Sequence, residues 1–94
     1  MALRLRYSNT AYQSLLEIEA YLVERNPVAA SSVIGEIELL CGLVAEFPEM
    51  GRRIEGTRLR YHVTRKYRYR VVYRIEAESL DVVDVMHPRQ TKGD

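Results

Sequence analysis

Residues 58–75 read Arg58-Leu59-Arg60-Tyr61-His62-Val63-Thr64-Arg65-Lys66-Tyr67-Arg68-Tyr69-Arg70-Val71-Val72-Tyr73-Arg74-Ile75, and their alternation decides the fold. Side chains along a strand point to opposite faces with a period of two. Leu59, Tyr61 and Val63 alternate with Arg60, His62 and Thr64; Tyr69, Val71, Tyr73 and Ile75 alternate with Arg70, Val72 and Arg74. The stretch predicts two adjacent strands, 58–64 and 68–75, joined near Arg65-Lys66-Tyr67. On this phasing Tyr61, Tyr69 and Tyr73 belong to the core, and Arg60, His62, Arg70 and Arg74 share an open cationic face. Residues 51–74 hold nine Lys and Arg against one acid, whereas residues 1–50 hold three against seven. The net charge of +1 conceals that polarity. A cationic sheet face calls for an anionic partner, either nucleic acid or an acidic protein segment.

Outward from this hairpin, Leu80 to His87 reads as a further strand after a turn at residues 76–79, and Pro88 favours its end. Asp81 or Asp84 is placed to pair with an Arg of the central strand. Upstream, residues 48–57 read as a loop following Phe47-Pro48. Before it, Ala30, Val33, Ile34, Ile37, Leu40, Cys41 and Val44 recur at helical spacing, with Asn26 as N-cap and Pro27 at the first helical position. An earlier helix carries Ala11, Leu15, Ile18 and Leu22 and starts at Ser8 or Asn9. Tyr12, Leu16 and Val23 widen its apolar stripe. Gly35 and Gly42 lie on one helix face and are expected to permit close backbone approach. Leu3, Leu5 and Tyr7 alternate with Arg4 and Arg6 as a first strand, whose arginines read as solubilising edge charges. The expected fold is a single α+β domain over residues 1–94. Its order is β-α-α-β-β-β, an antiparallel helical hairpin on one face of a small twisted, mainly antiparallel sheet.

No Cys/His metal pattern, Gly-rich phosphate loop or Ser-His-Asp arrangement occurs, so no metal or cofactor is expected. Glu17, Glu19, Glu36 and Glu38 are spaced as the wet face of a helix. Cys41, the single cysteine, reads as a buried structural thiol. No signal-peptide pattern opens the chain and no uninterrupted apolar run approaches a membrane span, which makes the cytoplasm the expected compartment.

The order of these pieces resembles the RelE/ParE superfamily of toxins from type II toxin–antitoxin systems. The resemblance rests on Ser8-x-x-Ala11, Ile18-x-x-Tyr21-Leu22, Asn26-Pro27 with Ala29-Ala30, and Phe47-Pro48-x-x-Gly51-Arg52. It continues through the strand Arg68 to Ile75 and ends in Val82-x-x-Val85-Met86-His87-x-Arg89. It implies the β-α-α-β-β-β fold and leaves two activities open. RelE-like members cleave mRNA in the ribosomal A site without a metal, the 2′-hydroxyl attacking the adjacent phosphorus. On that reading Arg70, His87 and Arg89 are the catalytic residues, with Arg60 and Arg89 helping Arg70 to neutralise phosphate. No tyrosine follows Tyr73, which removes one group that such nucleases often use.

ParE-like members instead inhibit DNA gyrase and are not enzymes. The Ser8-x-x-Ala11 start, Asn26-Pro27-x-Ala29-Ala30 and the Val85-Met86-His87-x-Arg89 ending are closer to this branch and to plasmid-stabilisation proteins. Either branch implies a cognate antitoxin with an acidic, partly disordered segment, forming a hetero-oligomer with the toxin. Such a segment would meet Arg60, His62, Arg68, Arg70, Arg74 and Arg89 with its charges. Its apolar groups would meet Tyr12, Leu16 and Val23. A basic nucleic-acid-binding module without toxicity is the third alternative.

Overall fold

Ser8 and Asn26 both cap helices in the computed structural model, which describes residues 2–88. The Ser8 hydroxyl accepts the Ala11 N–H at 3.0 Å and opens α1, Asn9–Arg25. The Asn26 side chain accepts the Ala29 N–H at 3.1 Å and opens α2, Pro27–Glu46, with proline at a position where no N–H is needed. The strands are β1 Arg4–Tyr7, β2 Arg52–Arg53, β3 Leu59–Val63, β4 Arg70–Ile75 and β5 Ser79–Met86. The expected 48–57 loop thus contains a 3₁₀ turn, Pro48–Met50, and the two-residue strand β2. The sheet order is β1-β5-β4-β3-β2, with β1 parallel to β5 and every other pair antiparallel.

Both helices pack on one face of this sheet. Ile37, Cys41 and Val44 of α2 and Ala11 of α1 are buried against Val71, Tyr73, Leu80, Val82 and Val85. Each large aliphatic side chain so buried contributes roughly 1.5–3 kcal/mol. Burial pushes the Cys41 thiol up to about 11, which keeps it protonated and inert. Gly35 and Gly42 mediate no close approach among the described residues, because added Cβ atoms would meet nothing within 4 Å. Gly51 is the sterically required glycine: a Cβ there would collide with the Tyr73 hydroxyl and the Tyr61 carbonyl.

Tyr73 is fully buried, and its hydroxyl both accepts from the Gly51 N–H at 2.9 Å and donates to the Pro48 carbonyl at 2.6 Å. Arg60 completes the latch by donating to the Gly51 carbonyl at 2.9 Å and the Glu49 carbonyl at 3.3 Å. Burial raises the Tyr73 phenol above its ordinary value, partly offset by the Gly51 N–H and the Arg60 charge. The loop after α2 is thereby tied to the central strand.

At the other end of the hairpin, the Glu36 carboxylate accepts the Lys66 N–H at 2.7 Å and the Tyr67 N–H at 3.1 Å. Glu36 is therefore a clamp between α2 and the β3–β4 tip and not merely part of a wet helix face. Thr64, buried beneath it, accepts the Tyr69 N–H at 2.8 Å. The clamp fixes a register in which Val63 pairs with Arg70, Tyr61 with Val72 and Leu59 with Arg74. Odd-numbered residues of β3 therefore share a face with even-numbered residues of β4. Sequence phasing placed them on opposite faces; in a ladder of period two, the parity of the tip decides which side chains meet.

Replacing Tyr73 by Phe leaves the Gly51 N–H and Pro48 carbonyl unpaired and should cost about 1–3 kcal/mol in urea denaturation. Gly51→Ala should cost a similar ~1–3 kcal/mol through overpacking. Burial tends to raise the Glu36 pKa, but the two backbone N–H groups and the Thr64 hydroxyl outweigh it and hold the carboxyl below its ordinary 4.5. Its contribution is complete above that value and is lost as pH falls through the lowered folded value. Amide exchange at Lys66 and Tyr67 should accelerate in that acid window, and Glu36→Gln should remove this pH dependence.

Candidate functional site

The inverted register splits the expected cationic face. Arg60 and His62 lie opposite Tyr73 and Val71 and share their side of the sheet. Arg70 and Arg74 share the other side with Leu59, Tyr61 and Val63. Tyr61 is accordingly not a core residue; its ring lies 4.0 Å from the Arg70 guanidinium, as a cation–π platform. Tyr69 and Tyr73 are buried as expected.

The guanidinium groups differ in what they already bind. Arg74 is paired with Glu76 and lies 3.7 Å from Asp81, which realises the expected Asp–Arg contact across the ladder. Asp81 also faces Arg6 at 3.9 Å, and Glu76 faces Arg58 at 3.8 Å. Asp84 turns instead to α1, accepting from the Ser14 hydroxyl at 2.7 Å. The extra residue Val83 in β5 interrupts the ladder between these two acids. Arg60 is held by backbone carbonyls of the 48–51 turn.

Arg70 is different. Its Nε is buried and has no hydrogen-bond partner among the described residues. Beside it Arg68 holds a left-handed backbone conformation, φ 65°, unusual for a side chain of its size. Val63, Arg68, Arg70 and Pro88 line a cavity of about 230 Å³. Two arginines thus border one recess, and guanidinium chemistry suits a carboxylate or a phosphate.

The histidines do not join it. His62 Nδ1 lies 3.2 Å from the Val63 carbonyl, which requires the proton on that nitrogen. His87 meets Tyr69 edge to face, ring centres 5.3 Å apart. It lines a separate groove of about 440 Å³ with Ser14, Glu17, Ile18, Tyr21, Tyr69 and Val85. Burial raises the Tyr69 phenol above its ordinary value. Arg70 and His87 thus line different cavities, and Arg89 lies outside the described residues. Of the expected anion-binding residues, the structure brings together Arg68 and Arg70. Tyr12, Leu16 and Val23, expected to meet an antitoxin's apolar groups, are exposed on α1. The Tyr61 platform and the Glu36 clamp were missed, because both depend on pairing across the tip and not on local spacing.

A two-helix layer on one face of this five-stranded sheet is the fold of the RelE/ParE toxins. The structure matches that of a chromosomal ParDE system from P. aeruginosa with TM-score 0.81, at 15% identity, over 92% of this chain and 96% of that one. A free-state mutant of the E. coli toxin RelE matches with TM-score 0.73 at 18% identity, over 98% and 90% of the two chains. The RelBE2 toxin–antitoxin complex of Mycobacterium tuberculosis gives 0.61 at 22% identity, over 93% and 99%. These likenesses establish the fold.

The family comes from sequence: residues 5–91 match the model for the ParE toxin of the type II toxin–antitoxin system parDE. Y4kP of Sinorhizobium fredii, named as a candidate toxin, is 35% identical over 89 residues, 93% of this chain and 90% of its own length. The chain belongs to the ParE toxin family.

Arg70→Met removes a buried donor unpaired among the described residues, a relief of about 1–3 kcal/mol that should offset loss of the Tyr61 stack, so stability in urea denaturation should not fall. Arg60→Met abandons two carbonyls of the latch and should cost about 1 kcal/mol or more in the same assay.

Proposed function

We propose that this chain is a toxin that inhibits DNA gyrase and is neutralised by a cognate antitoxin, acting in the cytoplasm where gyrase works. The observation that carries this reading is the ParE family match along residues 5–91. The dispersal of the groups a nuclease needs supports it. General acid–base cleavage requires a proton carrier within hydrogen-bond reach of the reacting phosphate. His62 sits on the opposite side of the sheet from Arg70, and His87 lines another cavity. Arg74 is neutralised by Glu76 and Asp81, and Arg60 serves the 48–51 turn. What remains at Arg68 and Arg70 can bind an anion, and no histidine is among the described residues that line that cavity.

One observation favours the second reading, ribosome-dependent mRNA cleavage: the unpaired Arg70 Nε would stabilise phosphate charge in a transition state. The antitoxin offers the same site another occupant. An acidic segment that places a carboxylate between Arg68 and Arg70 and an apolar stretch along Tyr12, Leu16 and Val23 would cover both patches. Because the patches lie on opposite sides of the sheet, that segment has to pass around an edge. Its ordering entropy would be offset by charge pairing and apolar burial.

Expression in cells, with supercoiling and mRNA cut positions scored together, separates the readings. Lost supercoiling with intact messages is the expected outcome, and Arg70→Ala should leave the supercoiling loss in place. Codon-phased cuts that Arg70→Ala abolishes, with normal supercoiling, would establish the nuclease instead.

A further inference from the structure

One face of α2 is left exposed by the described residues. At about 3.6 residues per turn, Val28, Ser32, Gly35, Leu39, Leu43 and Glu46 form a stripe opposite the buried residues. All six are exposed, Val28 at 78% and Leu39 at 76%. The helix is apolar nearly all round: mean hydropathy reaches 1.8 over an 18-residue window, of which only 39% is buried. A helix of that pattern belongs in an interior. Gly35 and Gly42 each cost about 1 kcal/mol in helix propensity. No internal contact offsets that cost, since nothing lies within 4 Å of either missing Cβ.

We propose that this face docks on the same face of a second copy of the chain, as an antiparallel α2–α2 pair whose two-fold axis passes at Leu39. Sizes and charges both fit this occupant. With the axis there, Leu39 meets Leu39 of the other copy. Leu43 falls at the level of Gly35 and extends over the space its missing side chain leaves open. Isologous pairing repeats each contact twice, so a short stripe suffices to specify the register.

The charges argue in the same direction. Helix α2 carries Glu36, Glu38 and Glu46 and no cation, which disfavours an acidic segment on this face. In the self-paired arrangement Glu46 meets the level of Ser32 and opposes no glutamate. Lys66 lines the groove beside Ser32, Gly35 and Leu39 and comes near that Glu46, giving a rim of opposite charge. The Arg68–Arg70 cavity lies elsewhere, so the pairing does not depend on which target the toxin has.

Sedimentation equilibrium of the full chain across the micromolar range tests the proposal. A monomer–dimer equilibrium is expected, with the dissociation constant raised roughly tenfold or more by Leu39→Lys and the circular dichroism unchanged. Under mild oxidation Leu39→Cys should form a disulfide-linked dimer, because only a residue on the axis meets itself; Val28→Cys should not. Cys41 is buried and stays silent. A chain monomeric throughout, a dimer indifferent to Leu39→Lys, or equal crosslinking through both cysteines would each overturn the proposal. So would a monomer that binds phosphatidylcholine vesicles through this face, which would make a bilayer the occupant.

Discussion

The pairing of β3 with β4 is the constraint on which the surface of this protein depends. Side chains of a ladder alternate, so its faces are set by one integer, the register. Here that integer is fixed at the tip, where Thr64 takes the Tyr69 N–H and Glu36 reaches from α2 to hold Lys66 and Tyr67. A carboxylate on a helix thus braces the tip at which the register of these strands begins. At the opposite end, Tyr73 and Arg60 bind the backbone of the 48–51 turn and reinforce the same register.

Within that frame the basic block resolves into groups with different roles. Arg60 is spent on carbonyls and Arg74 on carboxylates, while Arg70 is stacked on Tyr61 with a buried nitrogen unpaired among the described residues. A buried polar atom without a partner costs free energy in the isolated chain. An incoming carboxylate or phosphate would recover that cost. Arg60 and Arg74 already bind carbonyls and carboxylates, whereas Arg68 and Arg70 border one recess.

The helical layer shows a parallel division. Its inner face packs on the sheet, while α1 presents Tyr12, Leu16 and Val23 and α2 presents Val28, Leu39 and Leu43 to the outside. Two uncovered apolar stripes on 94 residues are more than solubility favours. A small toxin of an antitoxin-controlled pair has reason to keep such surfaces, and their different charge surroundings suit them to different partners.

Local chemistry was sufficient for the elements of this fold. Ser8 and Asn26-Pro27 marked the helix starts, the spacing of Ala30 to Val44 marked the buried side of α2, and alternation marked the strands, because caps and periodicity act over a few residues. The family was legible for the same reason, from short pieces in a fixed order. The faces of the hairpin were not legible. They depend on the parity of a six-residue tip held by Glu36 from 30 residues away, and no local pattern encodes that contact. Only the tertiary structure separated Arg60 from Arg70, assigned Asp81 to Arg74, and set His87 and Arg70 in different cavities. Composition supplied the charges, and pairing at a distance chose which of them would meet.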